Sequence, residues 1–145
     1  MKIFVHQLQD INEIEVIINC SEETQAVNNI VSTLNSIDAK IQCRSQGECF
    51  QLSVSDILYI DSVDRKTFLY SISAIYETDK RLYELEEDLK YSSFFRASKS
   101  TIVNLKRVKS LRPEIGAKLL LKMDNDEKII VSRQYAPIIK QTLEV

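Results

Sequence analysis

From Lys40 onward the chain is a series of short segments in which apolar and polar residues alternate, and this pattern most constrains its fold. A period of two places one set of side chains on the buried face of a strand and the other towards solvent. Gly47 and Gly116 lie between such segments, where hairpin turns favour glycine. The candidate strands are Ile41–Arg44, Cys49–Leu52, Ile57–Asp61, Thr67–Ile72, the region around Ala74–Tyr76, Thr101–Val103, Arg107–Leu111, Ala117–Lys122 and Lys128–Val131.

Two stretches of this region have helical periodicity instead. Leu82, Leu85 and Leu89 share one face of the segment Arg81–Lys90, whose carboxylates lie on the opposite face. A second helix is expected at the C-terminus, with Pro137 in its first turn, because a deeper proline would remove a helical hydrogen bond. The sequence therefore predicts an α+β fold that is mostly antiparallel β, with one or two packed helices.

Residues 1–39 are expected to form a strand–helix extension. Met1–Val5 is a short apolar segment, and Glu15–Cys20 is rich in the β-branched residues that strands favour. Ser21 can cap a following helix, whose apolar residues recur at helical spacing through Val27, Ile30, Val31 and Leu34. This part is too short for a receiver or ligand-sensing domain, which needs on the order of a hundred residues. We divide the chain into the extension, residues 1–39, and one domain, residues 40–145.

The charges are divided unevenly along the chain, although the formal net charge is only −2. Residues 1–64 carry 3 basic and 10 acidic side chains, a net of −7, whereas residues 65–145 carry 16 basic and 11 acidic side chains, a net of +5. This asymmetry indicates binding to nucleic acid or another anionic surface. It also suggests that the acidic extension opposes non-specific DNA binding by repelling phosphates.

A basic stretch between Leu89 and Pro113 contains no acidic residue. Small hydroxyl side chains alternate there with lysine and arginine, a composition that suits contact with phosphates. The same pattern is also compatible with a solvated strand face, on which lysine protects an edge from aggregation. The seven basic residues of the stretch are Lys90, Arg96, Lys99, Lys106, Arg107, Lys109 and Arg112.

Catalytic and metal-binding patterns are missing from the sequence. His6, the only histidine, lies in an apolar segment, and Cys20, Cys43 and Cys49 lack the spacing of a zinc site, so buried or half-buried free thiols are expected. The acidic run Asp124–Glu127 lacks the glycine and spacing of a calcium loop. We therefore predict no enzymatic activity, no cofactor, no metal and no small-molecule substrate. Without a long apolar run or a signal peptide, the chain is expected to be cytoplasmic.

Residues from about Lys40 to Val145 resemble the LytTR family of DNA-binding domains. The resemblance is carried, in order, by four motifs: Asp56-Ile-Leu-Tyr-Ile-Asp-Ser, Leu82-Tyr-Glu-Leu-Glu-Glu-Asp-Leu, Phe94-Phe-Arg-Ala-Ser-Lys-Ser-Thr-Ile-Val-Asn-Leu and Ile129-Ile-Val-Ser-Arg-Gln-Tyr. The extension is similar to that of stand-alone members without a receiver domain. The resemblance implies a transcription regulator with an elongated, mostly β fold that inserts loops, instead of a recognition helix, into successive DNA grooves.

The resemblance also implies which residues face DNA. They fall in three loops, the first after Asp61-Ser62, the second at Ser98–Ser100 and the third at Ser132–Gln134. Arginine can read guanine bidentately and glutamine can pair with adenine, whereas lysine suits phosphate contact. Many family members have a histidine where this chain has Ser98, and Asp64 adds an acid to the first loop. With Lys106 and Arg107 added outside the loops as phosphate anchors, the expected DNA-binding residues are Arg65, Lys66, Thr67, Ser98, Lys99, Ser100, Lys106, Arg107, Arg133 and Gln134.

The expected partners follow from the same resemblance. They are double-stranded DNA carrying promoter repeats, a second copy of the chain forming a homodimer on DNA, and a small membrane protein that regulates it. An alternative from charge alone is a protein-interaction or assembly module whose basic face binds an acidic protein partner, or the acidic half of another copy.

Overall fold

The computed structural model describes residues 1–37 and 39–145, and antiparallel strands dominate it. The strands are β1 (Lys40–Ser45), β2 (Glu48–Ser53), β3 (Tyr59–Val63), β4 (Lys66–Tyr70), β5 (Ile75–Thr78), β6 (Phe94–Arg96), β7 (Thr101–Asn104), β8 (Val108–Glu114), β9 (Lys118–Met123) and β10 (Lys128–Val131). The helices are α1 (Gln25–Ser36), α2 (Leu82–Asp88) and α3 (Ala136–Leu143). The mostly antiparallel fold predicted from alternation is confirmed.

The strands form two sheets. The larger has seven strands in the order β2-β1-β5-β4-β3-β7-β6, and the smaller has three in the order β10-β9-β8. All of the strand pairs described are antiparallel. Gly47 and Gly116 have φ angles of 79° and 82° in the turns β1–β2 and β8–β9, so the predicted glycine turns are confirmed.

Two hydrophobic clusters meet at β3 and β7, which contribute to both. Ile60 and Ile102 belong to the first cluster, together with the three leucines of the α2 segment predicted to share a face. Tyr59 and Val103 belong to the second cluster, which includes β9 and α3 residues. Because adjacent residues of one strand point to opposite faces, β3 and β7 connect the two cores directly.

The helices begin and end near their predicted positions, with differences that local contacts explain. α3 has proline at its start, as predicted, since Pro137 follows Ala136. α1 is capped by Thr24, whose hydroxyl accepts a hydrogen bond from the Val27 N–H at 3.4 Å, and not by Ser21 as predicted. Thr24 is the residue that directly precedes the first helical turn, where a side-chain oxygen reaches the free N–H groups.

The extension differs from its prediction. Residues 1–24 contain neither helix nor strand, so the strands predicted at Met1–Val5 and Glu15–Cys20 are not formed in the single chain. A β-branched segment forms a strand only when another strand accepts its backbone hydrogen bonds, and no such pairing is described for this one. The expectation for the thiols was right only for Cys43, because Cys20 and Cys49 are exposed.

Candidate nucleic-acid interface

The first and second predicted loops lie side by side because β3 and β7 are neighbours. In their antiparallel register Asp61 is opposite Thr101, so the end of β3 and the start of β7 lie at the same edge of the large sheet. The Thr101 hydroxyl donates to Asp61 Oδ1 at 2.5 Å, and the Ser62 N–H donates to the Ser100 carbonyl at 2.8 Å. These bonds fix the second loop against the strand that leads into the first.

The third loop is attached to the same edge by a backbone bond between the two sheets. The Ser132 N–H, directly after β10, donates to the carbonyl of Ala97 at 2.9 Å, directly before the second loop. The Ser132 carbonyl then accepts from the N–H groups of Tyr135 and Ala136, both at 3.0 Å, which turns the chain into α3. The three loops therefore follow one another along one edge. We call Asp64–Lys66, Ser98–Ser100 and Ser132–Gln134 together the loop edge.

The first loop is a two-residue hairpin turn with an unusual residue in it. Val63 pairs with Lys66, which leaves Asp64 and Arg65 as the turn, with φ angles of 51° and 66°. Two left-handed residues form the type I′ turn that matches strand twist, and it favours asparagine and glycine. A left-handed conformation costs a non-glycine residue such as arginine roughly 1 kcal/mol. The side chain of Arg65 is nevertheless exposed at this tip.

Arg96 supports the second loop from behind. Its side chain is only 17% exposed, and its Nε donates to Glu86 Oε2 at 2.6 Å while its Nη1 donates to the Lys99 carbonyl at 2.7 Å. Within the loop, Ser98 Oγ accepts from the Ser100 N–H at 3.2 Å. The backbone of Lys99 is thus held on both sides, which leaves its side chain exposed to solvent.

Most of the basic stretch identified in the sequence is neutralised by acids from elsewhere in the chain. Five of its seven cations form ion pairs, and Lys99 and Lys106 have none among the described residues. Arg65, Lys66 and Arg133 on the loop edge also lack an ion pair within the part of the chain described. The paired residues are Lys90 with Glu87, Arg96 with Glu86, Arg107 with Asp56 and Asp124, Lys109 with Asp126, and Arg112 with Glu114.

Lys106 and Arg107 are not on the loop edge. They follow the opposite end of β7, and Lys106 Nζ donates to the Thr33 hydroxyl of α1. Burial lowers the pKa of Lys106 below its usual value. Arg107 donates twice to the Ser55 carbonyl, from Nε at 3.1 Å and from Nη2 at 2.9 Å. The structure therefore separates these two predicted phosphate anchors from the other candidate residues.

Thr67 is the other predicted residue in a different environment. It is 3% exposed and pairs with Thr78 across β4 and β5. Its side chain is therefore not presented to solvent beside Lys66. By contrast Lys66, Lys99, Ser100, Arg133 and Gln134 are exposed.

Arg81 is a basic residue beside the first loop that the sequence did not indicate as a site residue. Its exposed side chain extends from the start of α2, and its Nη1 donates to the Arg65 carbonyl at 3.5 Å. The approach depends on β4 pairing with β5, which brings the residues after Thr78 to the same edge as the hairpin turn. Nothing in the local sequence around Arg81 signals this position.

The described residues contain neither a metal-binding cluster nor a membrane-spanning helix. In residues 1–37 and 39–145, no group of three or more histidine, cysteine, aspartate or glutamate side chains is arranged to hold a metal ion. Among the helices described, none combines the length and apolar character needed to cross a membrane.

Comparison with known proteins decides the family. The model of the LytTr DNA-binding domain matches residues 47–144. The chain belongs to the LytTr DNA-binding domain family. A LytTr DNA-binding domain from Bacillus cereus of known structure superposes with a TM-score of 0.69 at 27% identity, over 74% of this chain and 99% of that one. The LytTr family assignment and its fold therefore agree with the resemblance found in the sequence.

Curated relatives of this LytTr chain are named as regulators. The sensory transduction protein LytT of Bacillus anthracis is 31% identical over 94 residues, which are 65% of this chain and 38% of that protein. The transcriptional regulatory protein YpdB of Escherichia coli K12 is 27% identical over 93 residues, 63% of this chain and 38% of that protein. The matched part thus spans well under half the length of these relatives.

Proposed function

We propose that this chain is a sequence-specific DNA-binding transcription regulator that contacts successive grooves through the three loops of the loop edge. The observation that carries the proposal is that backbone bonds fix three loops on one edge, while their cations have no ion pair among the described residues. Exposed cations on a rigid edge can replace the counterions condensed on DNA phosphates. Membership of the LytTr family supports DNA as the ligand.

The side chains on the loop edge suggest separate roles. Arg65 and Arg133 are assigned to guanine, because a guanidinium can bond O6 and N7 together, and Gln134 is assigned to adenine. Lys66 and Lys99 are assigned to phosphates, with the serine hydroxyls of the second loop fixing the register. Arg81 joins them as a phosphate contact beside the first loop.

Two copies are proposed to bind repeated sites. A single loop edge reads few base pairs, and a symmetric pair gains affinity when its half-sites lie about 10–10.5 base pairs apart, on the same face of DNA. The names of LytT and YpdB, a sensory transduction protein and a transcriptional regulatory protein, are compatible with control of transcription.

The acidic-partner alternative has less support. Five of the seven cations that motivated it are already paired with acids of the same chain. An acidic partner would exchange those ion pairs for new ones. Because an exposed ion pair contributes only about 0–1 kcal/mol, the exchange would gain little free energy of binding.

Footprinting on the DNA upstream of the protein's own coding region tests the proposal. We expect a protected pair of short repeats in helical phase, and an affinity that falls linearly with salt on logarithmic axes, by about 0.9 per phosphate neutralised. Uniform protection of all DNA, or binding that does not depend on salt, would contradict it.

A further inference from the structure

The extension exposes eight large apolar side chains between Ile3 and Ile17. From Ile3 to Ile17 every isoleucine, leucine, valine and phenylalanine is exposed, with Ile14 at 94% and Ile17 at 77%. Exposed apolar residues of the domain are instead scattered among polar ones, which is normal for a protein surface. A concentration of large exposed apolar side chains in one short segment is typical of an interaction site.

Among the described residues, the side-chain hydrogen bonds between the extension and the domain come from the C-terminal half of α1. The Asn35 amide donates to the Tyr91 carbonyl at 3.1 Å, and the Thr33 hydroxyl accepts from Lys106 Nζ. Val31 on the same helix remains 41% exposed, and Ser36 is the only buried residue of α1. The apolar residues from Ile3 to Ile17 are therefore exposed in the single chain, whereas Val27, Ile30 and Leu34 of α1 are half-buried.

We propose that a second copy of the chain covers this surface, with Glu15–Cys20 of each copy paired as antiparallel strands. The segment has the β-branched composition of a strand but no strand partner described in its own chain. Two-fold symmetry provides a partner strand, because in an isologous interface a segment of one copy contacts the same segment of the other copy.

The sequence of Glu15–Cys20 is compatible with a two-fold symmetric antiparallel register centred on Ile17, in which opposed residues share a face of the sheet. That register sets Ile17 opposite Ile17 of the second copy, Val16 opposite Ile18, and Glu15 opposite Asn19. The isoleucines pair at the centre, and the two glutamates are at opposite ends, where they do not face each other. Directly opposed like charges would have destabilised the pairing.

The exposed apolar side chains supply a large part of the area that a stable dimer needs. A fully buried aliphatic side chain contributes about 1.5–3 kcal/mol at about 25 cal/mol per Å², so each presents on the order of 100 Å². The exposed apolar side chains from Ile3 to Ile17 together reach several hundred Å², and a standard interface needs roughly 800 Å² per partner. The remainder can come from the polar backbone of the paired strands.

Sedimentation of the full-length protein without DNA tests this assembly, and its result does not depend on the proposed DNA contacts. We expect a dimer with a dissociation constant in the micromolar range or tighter, weakened at least about tenfold by Ile17→Glu, which places a charge at the centre of the pairing. Ile115→Glu is the matched control, because Ile115 is 94% exposed in the β8–β9 turn. A monomer at all concentrations, or equal dimerisation of both variants, would overturn the proposal.

The native cysteines supply a second measurement that needs no substitution. Cys20 lies in the proposed strand, while Cys49 is exposed on β2 and Cys43 is buried. The maleimide reaction of Cys20 should slow several-fold as protein concentration rises through the dissociation constant, whereas that of Cys49 should not change. Protection of Cys49 with Cys20 unaffected would place the interface on the sheet edge and overturn the proposed one.

Discussion

Arg133 and Lys99 are both exposed on the loop edge, but they are proposed to meet different parts of DNA. Arg133→Ala should weaken binding to the target by about 1–3 kcal/mol and relax the preference for one base pair, because a bidentate contact to guanine is lost. Lys99→Ala should weaken binding to target and random DNA alike, and should reduce the salt slope by about 0.9. Fluorescence anisotropy titrations over a range of salt concentrations measure both quantities.

Lys128→Ala is the control for this pair. Lys128 is exposed at the start of β10, at the end of that strand away from the third loop, so its removal should change affinity little. If Arg133→Ala and Lys99→Ala affected target and random DNA in the same way, the assignment of base and phosphate contacts would be wrong.

Arg65 combines a strained backbone with an exposed cation, so stability and binding should respond in opposite directions to its replacement. Arg65→Gly should raise the free energy of unfolding by about 0.5–1 kcal/mol, since glycine adopts a positive φ without steric cost. The same change should reduce DNA affinity because a guanidinium leaves the loop edge. Urea denaturation and anisotropy on one protein preparation provide the two measurements.

The β1–β2 hairpin offers a matched control for Arg65. Gln46, with a φ of 50°, occupies a two-residue turn of the same type between Ser45 and Glu48. Gln46→Gly should stabilise the protein similarly and leave DNA binding unchanged. A loss of DNA affinity in Gln46→Gly would show that the effect of Arg65→Gly on binding is not specific to the Arg65 side chain.

At the level of elements, Asn104 joins β7 to three other segments. Its buried amide donates to the Ile57 carbonyl at 2.9 Å, and its Oδ1 accepts from the Ser93 hydroxyl at 2.6 Å and from the Lys106 N–H at 3.1 Å. Asn104→Ala would leave two buried polar groups without partners, at roughly 1–3 kcal/mol each, so we expect a loss of about 2–4 kcal/mol in the free energy of unfolding.

Chemical denaturation measures this loss, and Asn28→Ala on the exposed surface of α1 is the control, with an expected change within about 0.5 kcal/mol. Asn104 lies at the end of β7 opposite the loop edge. The folded Asn104→Ala protein should therefore still bind DNA. Normal stability of this variant would show that the three hydrogen bonds do not hold the elements together.

Element prediction from sequence succeeded where residues could be buried within the chain's own domain. β3 and α2 were predicted because a regular apolar pattern matches a buried face in each. The same reasoning was wrong for Glu15–Cys20, whose pattern indicates a strand but whose own chain provides no partner strand in the described structure. The apolar periodicity of a segment indicates which of its faces will be buried, but it does not indicate which other segment or chain covers that face.

For the candidate site, the sequence predicted the residues of the loops but not the residues that reach them, or leave them, through contacts distant in sequence. The loop residues came from ordered motifs, and family membership is confirmed. The positions of Arg81 and Arg107 could not be predicted, because each depends on contacts between residues distant in sequence. Arg81 reaches the first loop through the pairing of β4 with β5, and Arg107 is held by Ser55 and Asp124.

At the scale of the whole molecule, the net charge of −2 is the sum of an acidic extension and a domain that carries exposed cations on its loop edge. The ion pairs of the domain neutralise most of the basic stretch, so the loop edge retains a small set of cations. In its described part the extension carries five acids, all of them exposed: Asp10, Glu13, Glu15, Glu22 and Glu23. Acids without an ion-pair partner repel DNA whatever its orientation, whereas the cations of the loop edge attract DNA only when it lies against that edge. We therefore expect the acids of the extension to weaken binding to random DNA more than binding to the target DNA.

Neutralising four of these acids tests whether the extension contributes to DNA selectivity. The four substitutions leave the central residues of the proposed dimer strands unchanged. The full-length variant Asp10→Asn, Glu13→Gln, Glu22→Gln, Glu23→Gln should bind random DNA several-fold more tightly at low salt, while target affinity rises less. The Debye length is about 10 Å at 0.1 M salt and about 3 Å at 1 M, so the difference from the unmodified protein should shrink as salt is added. Anisotropy titrations on target and random duplexes at several salt concentrations measure it. If the ratio of target to random affinity were the same in both proteins at low salt, the acidic extension would have no part in selectivity, and its role would be confined to assembly.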